Sequence, residues 1–85
     1  MMIRLKVNEK NCVIIRRMYK RFKRTLENLE AYEKIYENKL RNARTAQGKA
    51  HWESKLRKVK KAKVIMKEKV RVHRESVETC KRYGY

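Results

Sequence analysis

The sequence predicts an all-α protein: an extended N-terminal arm, then two or three long basic helices, with no large independent core. Three observations predict it. There is no Pro, and Gly stands only at 48 and 84, so nothing breaks a helix from Met1 to Gln47 or from Lys49 to Tyr83. Apolar residues recur at steps of three and four along both halves. The third is size and charge. A chain of 85 residues buries a modest fraction of its surface, and a net charge of +17 makes it repel itself when alone.

Residues 1–8 form the arm. Within it IRLKV, residues 3 to 7, alternates apolar and basic, which puts Ile3, Leu5 and Val7 on one side of an extended segment. Asn8 or Asn11 then caps a helix start, because an Asn side chain accepts from free backbone N–H groups. The first helical region covers 9–47. Its seam runs Ile15, Met18, Phe22, Leu26, Leu29, Tyr32, Tyr36, Leu40, Ala43. Asn28 is a candidate bend, and Gly48 is the expected break, since Gly favours helix ends. The long basic C-terminal helix covers 49–83. Its seam runs Trp52, Leu56, Val59, Ala62, Met66, Val70, His73, Val77, Cys80. The two seams either face each other in a hairpin or each face a partner.

Charge divides the chain in three: residues 1–26 carry +8, residues 27–48 are neutral, and residues 49–85 carry +9. In the middle segment Glu30 precedes Lys34, and Glu37 precedes Arg41, by four. That order supports a solvated helix. A sharper reading sets Glu27, Glu30, Glu33 and Glu37 against a basic neighbouring protein.

Catalysis has little to stand on. The chain has no Asp, no glycine-rich phosphate loop and no Cys–His spacing of a recognisable kind. His51 and His73 read as packing residues, so no enzyme, cofactor or metal site is expected. Cys12 and Cys80 read as two ordinary thiols, not a disulfide framework or a zinc site. The longest apolar run outside the initiator region is CVII, residues 12 to 15, so no membrane span is expected. The first 26 residues resemble a transit segment in charge but contain no Ser and run straight into the helical pattern. They read as part of the mature chain.

The basic patches are the dominant signal. In RRMYKRFKR, residues 16 to 24, Arg16, Arg17, Lys20, Arg21, Lys23 and Arg24 point in nearly every direction except that of Met18 and Phe22. A membrane-surface helix needs a broader apolar face, and a coiled coil needs mixed signs at its flanks. A helix among phosphates fits, because each neutralised phosphate releases a counterion. Further on come Lys55, Arg57, Lys58, Lys60, Lys61, Lys63, Lys67, Lys69, Arg71 and Arg74, opposed only by Glu68. Tyr19, Tyr36, Trp52 and Tyr83 are candidates to stack on unpaired bases, with Phe22 and Tyr32 alongside. For Phe22 and Tyr36 the plainer role is to fill the seam. Lys outnumbers Arg by fifteen to eleven, which favours charge neutralisation over bidentate base reading. No zinc finger, basic zipper or helix-turn-helix is recognisable. Nonspecific DNA binding remains an alternative on composition.

The order of residues adds a likeness. IRLKVNE, residues 3 to 9, with Val13, Ile15, Arg16 and Arg17 after it, resembles the start of the family of the twenty-first protein of the bacterial ribosomal small subunit. KIYENK, residues 34 to 39, is similar to that family's basic–aromatic–Tyr–Glu–Lys element, and a long basic helix follows in both. The resemblance covers residues 3–44 by motif and the rest by character. The family usually has Gly between its first two helices and Pro after the Tyr–Glu–Lys element. Here those places read TLENLEA and Leu40, which leaves one longer helix open.

The resemblance implies a structural protein of the small-subunit platform. It would bind small-subunit rRNA near its 3′ end and touch neighbouring small-subunit proteins, without membrane contact or self-association. Arg16 and Arg17 carry over as RNA contacts, Lys34, Tyr36, Glu37 and Lys39 as the second-helix element, and Arg41 and Arg44 as the basic residues after it. The chain exceeds a typical bacterial member in length, which suits a mitochondrial ribosome, with a plastid or bacterial cytoplasm as alternatives. MYKRF, residues 18 to 22, also resembles the leucine–tyrosine–arginine helical family of mitochondria, whose members serve respiratory and assembly complexes. Here Met18 and Lys20 replace that motif's Leu and Arg.

Overall fold

The computed structural model describes residues 8–85. Except for Asn8, the expected extended arm lies outside the described residues. Two α-helices make up the rest: α1, Glu9–Asn42, of 34 residues, and α2, Ala46–Arg82, of 37 residues. They pack antiparallel as a hairpin measuring 56 × 22 × 14 Å. The radius of gyration is 17.4 Å, against roughly 12 Å for a compact chain of this length. The protein is a rod, with a core one side chain deep.

The helix ends are set by local chemistry. Asn8 is the N-cap of α1; its backbone is extended and its Oδ1 accepts from the Asn11 N–H at 2.8 Å. Asn11 is therefore the recipient of the cap and not the cap itself. Glu9 in the first turn, and Lys39 and Arg41 in the last, match the helix dipole. At the other end of the chain Gly84 has φ 76°. Its N–H donates to the Lys81 carbonyl at 3.0 Å, and the Tyr85 N–H donates to the Cys80 carbonyl at 2.9 Å. This is the Schellman closure, in which glycine takes the left-handed position at no steric cost.

The break between helices falls at Ala43–Arg44–Thr45, before the expected glycine. Thr45 caps α2: its Oγ1 accepts from the Gly48 N–H at 2.9 Å. Gly48 thus lies inside the first turn of α2. A Cβ there would stand 3.0 Å from Thr45 Oγ1 and 3.7 Å from Ala43 Cβ. The missing side chain leaves room for the cap. α1 runs unbroken through Asn28, as a chain lacking the Gly and Pro at those places allows.

The two seams face each other. Ile15, Cys12 and Cys80 form a buried cluster with Val77 packed on it. Phe22 meets His73 edge to face at 4.9 Å between ring centroids, and Tyr36 meets Trp52 at 5.7 Å. Leu56, Val70 and His73 are buried on the α2 side, as is Val72, which the seam passes by. His73 Nδ1–H donates to the Lys69 carbonyl at 2.8 Å, so the ring's polar edge is satisfied within its own helix.

One expectation is overturned. Cys12 and Cys80 are not free thiols; they form a disulfide across 68 residues of sequence. Cys12 sits in the first turn of α1 and Cys80 in the last turns of α2. Two antiparallel helices of similar length bring these ends level. The Cα atoms stand 5.9 Å apart, within the roughly 4.4–6.8 Å that a disulfide spans. The bridge closes the end of the hairpin opposite the 43–45 turn.

Candidate nucleic-acid interface

Helical phase sorts the charged side chains into two flanks. At 3.6 residues per turn, residues on either side of each seam project to opposite sides of the hairpin. Cross-helix contacts mark one side. Arg74 Nε donates to the Tyr19 hydroxyl at 3.4 Å, and Lys63 Nζ stands 3.2 Å from Glu33 Oε2. That carboxylate oxygen is enclosed, and the Lys63 ammonium faces it as an ion pair without hydrogen-bond geometry. Glu27, Glu30 and Glu37 fall on this same side of α1, with Lys23, Lys34 and Arg41 among them. From α2 come Lys60 and Lys67, which with Glu33 and Lys63 line one shallow concavity. This is the mixed flank, where bases and acids offset one another.

The opposite flank differs in kind. From α1 it takes Lys10, Arg17, Arg21, Arg24 and Lys39; from α2 it takes Lys55, Lys58, Lys61 and Lys69. No Glu of α1 projects there; on α2, Glu68 follows Lys61 by seven residues and so shares its phase at the outer edge of the flank. Arg17, Lys20, Arg21 and Arg24 line a concavity of about 380 Å³ together with Thr25 and Asn28. Thr25 turns its hydroxyl back to the Arg21 carbonyl at 3.0 Å, leaving that surface to the guanidinium groups. Lys69 lies over the Phe22 ring at 5.5 Å and Lys55 over Tyr36 at 5.9 Å, so these two lysines lean on seam aromatics. The α1 part of this flank, without a carboxylate, gives a phosphate chain unopposed positive potential.

The expected RNA contacts therefore do not form one surface. Arg17, Arg21, Arg24, Lys39, Lys55, Lys58, Lys61 and Lys69 share the basic side, and Lys20 borders its concavity from the outward edge, in phase with Glu27. Arg16, Lys23, Lys34, Arg41, Lys60, Lys63 and Lys67 fall on or toward the mixed side. Arg57 lines a concavity with Glu53, and Arg44 is exposed in the turn. Arg71 points outward and is held between Glu68, which it also hydrogen-bonds most closely, and Glu75 at 3.1 Å. The Glu68 hydrogen bond and both carboxylates hold its guanidinium above the usual arginine range, and the Tyr19 hydroxyl does the same for Arg74. Among the described residues neither Glu30–Lys34 nor Glu37–Arg41 closes as an ion pair; Glu33 reaches across to Lys63 instead.

The aromatic candidates separate too. Tyr36 and Trp52 pack on each other within the seam, and Tyr19 is tied to Arg74. Tyr83 is exposed beside Tyr85 at the chain end. Tyr32 stacks on Tyr36 at 6.0 Å and is 51% exposed. Its isolation as an exposed ring on a seam otherwise enclosed is the feature that sequence periodicity concealed.

Among the described residues no group of His, Cys and Glu could hold a metal ion, and no helix is long and apolar enough to cross a membrane. No family model, curated protein or solved structure matches the chain. The likeness to the small-subunit family therefore stands on the motifs in residues 3–44 alone.

Proposed function

We propose that this chain is a non-catalytic RNA-binding protein, a structural constituent of the small ribosomal subunit that lays its basic flank on rRNA. The observation that carries this reading is the segregation of charge. The acids of α1 between Glu27 and Glu37 lie on one flank, while Arg17, Arg21 and Arg24 share the other with lysines of α2. A protein that needed charge only for solubility would have no reason to sort it. The narrower assignment, to small-subunit rRNA in a mitochondrial ribosome, draws on IRLKVNE and KIYENK. The mixed flank would then face neighbouring ribosomal proteins.

The test compares two variants of equal charge. Arg17, Arg21 and Arg24 changed together to Gln should flatten the salt dependence of rRNA binding, lowering the log–log slope by about 2. Lys60, Lys63 and Lys67 changed together to Gln should leave it nearly unaltered. Equal loss in both would mean that total charge binds and no face is selected. Cosedimentation with small ribosomal subunits in high-salt sucrose gradients tests the ribosomal part. Equal affinity for random duplex DNA and rRNA would favour a nonspecific DNA-binding protein.

A further inference from the structure

Two concavities on α1 meet at Asn28. One is the arginine-lined hollow of about 380 Å³ described above. The next, about 330 Å³, is lined by Asn28, Ala31, Tyr32 and Ile35. From Arg24 to Ile35 the surface passes, over about three helical turns, from cationic, through an amide, to an aromatic ring and an aliphatic chain. That sequence of chemistries complements, in the same order, what a nucleotide presents: phosphate, hydrogen-bonding base edge, flat apolar base face.

Tyr32 is built to receive such a face. In a helix a long side chain leans toward the N-terminus, over the preceding turn. The Tyr32 ring accordingly borders the Asn28–Ala31 hollow, while Tyr36 stacks on it at 6.0 Å with planes 25° apart. Tyr36 is in turn held by Trp52 at 5.7 Å, and Trp52 by His51 at 4.8 Å. The aromatic ladder ties Tyr32 to α2, so the ring is fixed before any ligand arrives and little ordering entropy remains to be lost. Ile35, 49% exposed, extends the apolar floor. Asn28 offers both a donor and an acceptor to a base edge.

We propose that the hollow between Arg24 and Ile35 binds an unpaired nucleotide, with its base stacked on Tyr32, its edge read by Asn28 and its phosphate held by Arg21 and Arg24. This deepens the RNA-binding reading and rests on it: the flank would select single-stranded segments over duplex. In a duplex both base faces are already covered, so the Tyr32 ring has nothing to stack on.

Fluorescence anisotropy with a labelled single-stranded oligoribonucleotide, and with the blunt duplex of the same sequence, tests it on the intact chain. The wild type should prefer the single strand. Tyr32→Leu keeps an apolar side chain against Tyr36 but removes the ring; it should weaken single-strand binding by roughly tenfold and leave duplex binding unchanged. Tyr32→Phe should behave as wild type. Equal loss on both RNAs, or none on either, would overturn the stacking site while leaving RNA binding intact. A wild type that bound neither RNA would remove both readings.

Discussion

At the scale of single residues, burial separates side chains that look alike in the sequence. Ile15 is 1% exposed and packs against the bridge, whereas Ile65 is 58% exposed. Both are Ile on a long helix, yet only one is at a seam. Ile15→Ala should lower the stability of the oxidised chain by about 2–4 kcal/mol, the cost of a buried cavity in a core that cannot easily collapse around a bridge. Ile65→Ala should change it by no more than about 0.5 kcal/mol. Urea unfolding followed by circular dichroism measures both. Similar values for the two would mean that the cluster around Cys12 and Cys80 is not the anchor of the fold. Ile15 was legible, because it opens the first seam. Val72 was not: it is buried one position before His73, off the α2 stripe, and no period of three and four leads to it.

At the scale of the element, the sequence showed the long helices but misplaced their division. Absence of Pro and a continuous stripe predict helix on both sides of any break, and both helices form. For the break itself the sequence points to Gly48, because glycine is a common helix stop. Here a threonine cap three residues earlier decides the matter, and Gly48 serves that cap as the donor to Thr45 Oγ1. The signal was present as Thr45 before Ala46, but it competed with a stronger prior. Thr45→Ala should therefore destabilise the hairpin by about 1 kcal/mol, and Thr45→Asn, which restores an accepting side chain, should recover most of it. Thermal unfolding of the three proteins checks this. A Thr45→Ala protein as stable as its parent would show that the turn is held by helix packing alone. The basic flank was half legible in the same way. Basic runs showed where charge lies along the chain; only the antiparallel register shows that Arg17, Arg21 and Arg24 share a side with Lys58 and Lys61 while Glu33 and Lys63 share the other.

At the scale of the whole molecule, the governing conflict is between a net charge of +17 and a core one side chain thick. The disulfide resolves it at the open end. Cys80 already stood on the second seam, and Cys12 lies three residues before the first member of the other; pairing the seams antiparallel brings them together. Without that pairing a separation of 68 residues carries no motif. Closing a loop of this length removes unfolded-state entropy worth on the order of 4 kcal/mol, a large share of the stability a small domain has. Reduction should thus melt the hairpin most readily at low ionic strength, where the like charges repel through the longest screening length. Circular dichroism of the reduced chain, or of Cys12→Ser, should show helix lost at low salt and regained either in high salt or on adding RNA. Both additions act on the same repulsion, one by screening and one by neutralising the basic flank. The oxidised chain should stay helical throughout. Disulfides are rare where thiols are kept reduced, so the redox state of Cys12 and Cys80 in the cell decides which of these two forms is the working one. Trapping that state by alkylation before isolation identifies it. A reduced chain that stayed fully helical in low salt without RNA would show that seam packing alone outweighs the charge, and that neither the bridge nor a polyanion is needed to hold the two helices together.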